Sequence, residues 1–123
     1  MNKTILIIDD DLLVLKTIQN LLRREQFDLQ IAKSAQEAQL KIEEKVPNLI
    51  ICDVRMPQED GISFLKKLRT NTEHELSKIP VIFVTGYASE DVPIDAIKLG
   101  AKDYILKPFD LDELLASIKA HIS

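Results

Sequence analysis

ILIIDDD (5–11) is a short apolar run that stops on three consecutive carboxylates. A strand with one wet face would alternate apolar and polar residues. This run is apolar at every position and rich in Ile, which marks a strand covered on both faces in a parallel sheet. The same pattern recurs along the chain: LIIC (49–52) ends in Asp53, VIFV (81–84) in Thr85, and YIL (104–106) in Lys107. A weaker strand falls near 28–31. Between these runs, apolar residues return at helical spacing: Leu12, Leu15, Ile18 and Leu22; Ala35, Ala38 and Ile42; Phe64, Leu65 and Leu68; Leu111, Leu114, Leu115 and Ile118. Strand and helix therefore alternate five times.

Local chemistry marks the helix ends. Ser34 with Glu37 three residues later forms a capping box, as does Asp110 with Glu113, and Ser89 can cap the fourth helix while Gly100 suits its left-handed end. Pro93, four residues past Ser89, delays or frays the start of that helix. Right-handed crossovers then give a doubly wound α/β fold: a parallel five-stranded sheet in the order 2-1-3-4-5, helices on both faces, with the first and third strands adjacent at the switch point. The stretch RTNTEHELSKI (69–79) reads as a solvated loop.

At 123 residues the chain fits one domain, 1–123, and has no room for a second. The net charge is −4, with Lys and Arg scattered among acids, which argues against nucleic acid as a direct ligand. The start, MNKTILIIDD, enters a strand at once without a leader pattern. No apolar run approaches the roughly 18 residues that span a bilayer. A cytoplasmic protein with no membrane insertion is expected. The single cysteine, Cys52, lies inside an apolar run and reads as a small core residue, while His74 and His121 are isolated surface positions.

Ligands of open α/β sheets bind at the carboxyl ends of the strands. There the topology gathers Asp9, Asp10, Asp53, Thr85 and Lys107. Three carboxylates so close repel one another and call for a cation; hard oxygen ligands at an open crevice suit Mg2+, and with Lys107 the formal charges cancel. An incoming phosphoryl group would meet a metal, an ammonium and a hydroxyl, with Asp53 placed as a carboxylate nucleophile. Singly, each residue has a plainer role: Asp9 to Asp11 as cap and dipole partners of a helix, Asp53 and Thr85 in turns, Lys107 as a surface charge.

The stretches ILIIDDD (5–11), LIICDVRMPQEDG (49–61), VIFVTGY (81–87) and GAKDYILKPFDLDELL (100–115) together resemble the receiver domain of two-component response regulators, from Lys3 to about His121. The resemblance implies a flavodoxin-like (βα)5 fold and a phosphoacceptor that takes its phosphoryl group from a sensor histidine kinase or phosphotransfer protein. It makes Asp53 the acceptor. Asp10, Asp53 and the backbone carbonyl of Arg55 would hold Mg2+, with Asp9 assisting through bound water. Thr85 and Lys107 would contact the phosphoryl oxygens. Tyr104 falls at the family's aromatic switch position, and the Lys107–Pro108 bond would be cis. Arg55 and Tyr87 occupy two variable positions that modulate dephosphorylation, and their bulk implies shielding. The output face would be the fourth helix, fifth strand and fifth helix, acting on a downstream protein or attached output domain. Lys102 and Ser117 stand where dimerising receivers of winged-helix regulators carry an acid and an arginine, which implies a monomer or another type of dimer.

Two other readings stay open at this level. Asp9-x-Asp11 after a strand, with Thr85 and Lys107 downstream, is similar to a haloacid-dehalogenase-type phosphatase, against which stand Leu13 in place of Thr or Val, the lack of an acidic pair after Lys107, and an Asp53 without a job. A binding domain that keeps the fold without the chemistry is the third.

Overall fold

The continuous apolar runs pair side by side because each must hide both of its faces, and the weaker strand near 28–31 lies at one edge of the sheet. A computed structural model of the chain describes residues 2–56, 58–70, 76–86 and 96–122. In chain order they form β1 (Thr4–Ile8), α1 (Leu12–Arg24), β2 (Asp28–Ala32), α2 (Ala35–Glu44), β3 (Leu49–Cys52), α3 (Gly61–Thr70), a 3-10 turn (Leu76–Lys78), β4 (Val81–Thr85), β5 (Asp103–Leu106) and a C-terminal helix (Leu111–His121). The strands make one parallel sheet in the order β2-β1-β3-β4-β5, as expected. Residues 96–98 are helical and close on Gly100, whose φ of +83° is the left-handed conformation anticipated for it. Ser89, Pro93, Tyr87 and His74 lie outside the described residues.

The sheet divides the core in two. Leu6, Ile8, Ile50, Cys52 and Phe83 face α2 and α3, while Ile5, Ile7, Ile51, Ile82 and Ile105 face α1 and the C-terminal helix. Ile5, Leu6 and Ile7 are all fully buried. A one-residue slip of β1 would exchange its two faces between differently shaped cores, so the ladder is fixed in register. Ile8 pairs with Cys52, Cys52 with Phe83 and Thr85 with Leu106, which brings the ends of β1, β3, β4 and β5 level at the carboxyl edge.

Two expectations are corrected. Leu12, read as the first residue of the α1 stripe, is 57% exposed, and Leu21 takes the buried place beside Leu15, Ile18 and Leu22. The first turn of α1 overhangs the sheet edge, beyond the core. Within 69–79, Leu76 and Ile79 are buried and Arg69 ends α3 as part of the fold. Burial pushes the Arg69 guanidinium down from its usual range. Polar composition had concealed that role.

Helix ends follow the sequence. Ser34 Oγ accepts from the Glu37 amide at 3.1 Å, and Glu37 Oε1 in return accepts from the Lys33 amide at 3.2 Å, one residue earlier than an ideal capping box. Asp110 caps the C-terminal helix, accepting from the amides of Asp112 at 2.7 Å and Glu113 at 3.4 Å. That helix is also tied to β5, because the buried Ser117 hydroxyl donates to Asp103 Oδ2 at 2.6 Å.

Candidate functional site

Each strand ends where its apolar run stops, so the first polar residue after it is delivered to the same crevice. The Asp9 amide still donates to Ala32 O (3.1 Å) and the Asp53 amide to Ile8 O (2.9 Å), so both residues continue the ladder beyond the strands. Opposite them, the Lys107 amide donates to Thr85 O at 2.8 Å, and the Lys107–Pro108 peptide is cis, as implied.

The ammonium of Lys107 donates to Asp9 Oδ2 at 2.8 Å and to Asp53 Oδ2 at 3.1 Å. Asp53 Oδ1 accepts from the Arg55 amide at 3.2 Å. Asp9 and Asp53 are buried, Asp10 is exposed, and oxygens of all three lie within 4.8 Å of one another. Asp53, Arg55, Thr85 and Gly86 line an open hollow of about 240 Å³. Asp9, Asp10, Asp53, Arg55, Thr85 and Lys107, the described candidates for metal binding and catalysis, therefore share one edge. Tyr104 sits apart from the hollow, half-buried, its ring 6.2 Å from that of Phe83 and tilted by 56°.

Electrostatics follow from burial and pairing. Burial raises the Asp9 carboxyl above the usual range, and the hydrogen bonds from Lys107 and the Asp11 amide offset this only in part. Burial pulls the Lys107 ammonium down, yet its bonds to Asp9 and Asp53 and their charges outweigh that and hold it above the ordinary lysine value. Cys52 is fully buried and its thiol is pushed well up by burial, which fits the core role read from the sequence. Three carboxylates against one ammonium leave the cluster with surplus negative charge. Its oxygen ligands, one of them exposed to the crevice, fit a hard divalent cation such as Mg2+.

The three leading aspartates separate by role. Asp11 is the N-cap of α1, accepting from the amides of Leu13 at 2.9 Å and Val14 at 3.4 Å, while Asp9 and Asp10 face the cluster. A phosphatase using Asp11 as its acid would need that same carboxylate, which counts against the rival reading.

Sequence reasoning missed Gly61. A Cβ there would lie 2.3 Å from Asp53 O and 2.9 Å from the Phe83 ring, and the Gly61 amide donates to Val54 O at 2.7 Å. The signal was available in the motif, where Gly61 follows the cap residue Asp60, whose Oδ1 accepts from the Ser63 amide at 2.7 Å.

A family model described as the response regulator receiver domain matches residues 5–119. The chain belongs to the response regulator receiver domain family. This receiver domain is similar to the transcriptional regulatory protein ZraR of Escherichia coli (strain K12), 37% identical over 118 residues that cover 96% of this chain and 26% of that protein. It is also similar to the alkaline phosphatase synthesis transcriptional regulatory protein PhoP of Bacillus subtilis (strain 168), 36% identical over 98% of this chain and 48% of that protein. The chain thus spans about a quarter to a half of the length of these curated relatives. Among solved structures it resembles a CheY-like response regulator receiver domain protein from Methanospirillum hungatei JF-1, with a TM-score of 0.87, 36% identity, and coverage of 98% of this chain and 93% of that one. A two-component response regulator from Clostridium difficile gives a TM-score of 0.88 at 27% identity, covering 97% of this chain and 94% of that one. The five-stranded 2-1-3-4-5 sheet of the receiver is thus matched in sequence and in fold. No described helix is long and apolar enough to cross a membrane.

Proposed function

We propose that this receiver is a phosphoacceptor whose acceptor is Asp53, loaded by a sensor histidine kinase or phosphotransfer protein in the cytoplasm. The observation that carries the reading is the state of the Asp53 carboxylate. One oxygen is held by the Arg55 amide and the other by Lys107, under a hollow shared with Thr85. The nucleophile is thus oriented before the donor arrives, and orientation is the main thing a protein contributes to phosphoryl transfer.

An Asp53 carboxylate oxygen forms the new bond to phosphorus as the bond from phosphorus to the donor's imidazole nitrogen breaks, and the electron pair leaves with that imidazole. Lys107, on the rim, can then turn from Asp53 to a phosphoryl oxygen while keeping Asp9, and the Thr85 hydroxyl can donate to another. Asp10, Asp53 and the carbonyl of Arg55 would hold Mg2+, with Asp9 as an outer partner; the metal supplies charge neutralisation for the transferring oxygens. Water attacking the same phosphorus reverses the state, and Arg55, with Tyr87, would shield that approach. The domain therefore catalyses its own phosphorylation and dephosphorylation and is not a turnover enzyme.

Once phosphorylated, Thr85 is drawn toward the new acceptor, and space opens for the Tyr104 ring to turn inward along β5. The output face so remodelled, around β5 and the C-terminal helix, would control a downstream protein or an attached domain, without direct nucleic-acid contact. Ser117 is buried against Asp103, which is consistent with signalling by a route other than an ion pair at this position.

Asp53→Asn keeps the side-chain size and removes the nucleophile. Incubated with acetyl phosphate and Mg2+, wild type should gain a covalent phosphoryl group by mass spectrometry and Asp53→Asn none; undiminished label on the variant sinks the assignment. A second measurement concerns the metal. Asp9 is committed to Lys107 and to the Asp11 amide, so Asp9→Asn should act as an outer-partner loss, weakening Mg2+ by about tenfold, and Asp10→Asn should weaken it more. Calorimetric titration checks the order, and equal losses contradict it.

A further inference from the structure

Helix α3 touches the site at one end and the approach to β5 at the other. At its start, Gly61 packs so closely that a Cβ would meet the Asp53 carbonyl oxygen at 2.3 Å. At its far end, the Arg69 guanidinium donates to main-chain carbonyls of two further segments: Nε to Leu99 O at 3.0 Å and Nη2 to Gly100 O at 3.4 Å, and Nη1 to Ile79 O at 2.8 Å and Ser77 O at 3.3 Å. Leu99 and Gly100 close the helical stretch that leads into β5, and Ile79 leads into β4. Ten helical residues span about 15 Å, so one rigid element reaches from the acceptor strand to the turn that seats β5.

We propose that α3 is a strut between the acceptor and β5, and that Arg69 is a positioning residue which, by forking onto the 99–100 turn and the entry to β4, sets where β5 holds Lys107. The proposal rests on the phosphoacceptor reading and adds a residue to it. The chemistry suits the task. The planar guanidinium offers five donors in a fixed fork, and its charge lies against carbonyls that end helical turns, where a cation is favoured. A lysine, with a compact ammonium, cannot bridge the same carbonyls in the same plane. The three carboxylates of the metal cluster stand on or just beyond β1 and β3, whereas Lys107 follows β5. Loss of the fork should therefore separate two properties that a general loss of stability would move together.

The test uses the full chain as wild type, Arg69→Gln and Arg69→Lys. First, without metal or phosphodonor, amide hydrogen exchange is followed at Ala101 and Lys102, which donate to Ala96 O and Val81 O, and at Asp53, which donates to Ile8 O. Exchange at 101 and 102 should accelerate at least about tenfold relative to Asp53 in Arg69→Gln, with incomplete rescue in Arg69→Lys. Second, the initial rate of Asp53 labelling by acetyl phosphate should fall about tenfold or more in Arg69→Gln, since small misplacements of a reacting constellation are costly, while Mg2+ affinity stays within about twofold. Unchanged exchange at 101 and 102, equal acceleration at Asp53, or labelling and Mg2+ affinity falling together overturns the proposal. Full rescue by Arg69→Lys overturns it too, because charge without the fork would then suffice. If wild type takes no label, the phosphoacceptor reading fails, and the exchange arm still decides the clamp.

Discussion

Lys107→Met should destabilise the metal-free protein by about 2–4 kcal/mol near neutral pH, because removing one partner of a buried ion pair leaves uncompensated charge. The partners left behind are Asp9 and Asp53, both buried, within 3.1 Å of the lost ammonium. The sign of the pH dependence follows from the two shifts. Lys107 is raised above its ordinary value, so its contribution to stability is complete at neutral pH and is lost only as pH rises through that raised value. Asp9 is also raised, so the native state binds its proton more tightly than the unfolded chain, and stability linked to Asp9 grows as pH falls through the raised value. Without Lys107 that shift becomes larger. The deficit of Lys107→Met should therefore shrink between pH 7 and pH 5, and Mg2+ should shrink it at pH 7 by replacing the missing positive charge. Urea denaturation at both pH values, with and without Mg2+, measures this; a deficit independent of pH and metal would show that the lysine stabilises through packing alone.

Gly61→Ala should cost about 3 kcal/mol, the upper part of the range for overpacking a filled site. Two effects compete. Alanine in a helix is favoured over glycine by about 1 kcal/mol. Against this, the new methyl would stand 2.3 Å from Asp53 O and 3.1 Å from Asp53 C, both main-chain atoms, with the Phe83 ring at 2.9 Å behind it. A backbone carbonyl in a hydrogen-bonded loop cannot swing aside as a flexible side chain would, so the clash wins. On the proposed function, labelling of Asp53 should fall along with stability, since relief requires either α3 or the loop after Asp53 to move. A Gly61→Ala variant as stable as wild type in thermal melts would mean that the loop yields freely.

The strands were legible because burial on both faces leaves no polar position inside a run; ILII, LIIC and VIFV each map onto a paired strand. Site residues were legible for the same reason, as the first polar residues after those runs. What escaped reading depends on backbone and on long-range partners. Helix α1 ends through Gln26 at φ +64°, with the Phe27 amide donating to Leu22 O at 3.2 Å, and glutamine gives no advance sign of a left-handed turn. Gln58 at φ +71° is equally silent. Arg69 looks like one more solvated charge until the carbonyls of residues 99 and 100, some 30 positions on, come within its reach. Leu12 and Leu21 both satisfy the helical period, and only the length of the sheet beneath α1 decides which is buried.

The level strand ends have one more consequence. Every group named in the chemistry leaves the sheet at its carboxyl edge, while the chain returns at the opposite edge through 25–28, 45–48 and 78–81, where Asn48 pairs with Thr4 and the Asp28 amide donates to Lys3 O. The connections at 25–28 and 45–48 can lengthen, shorten or acquire fused segments without disturbing the spacing of Asp9 and Asp53, which the ladder dictates, whereas 78–81 is held by the Arg69 guanidinium. The molecule is in effect a socket with a reactive end and an editable end. Such a division lets one receiver module be carried into different protein architectures, with new attachments written into the edge away from the carboxylate cluster.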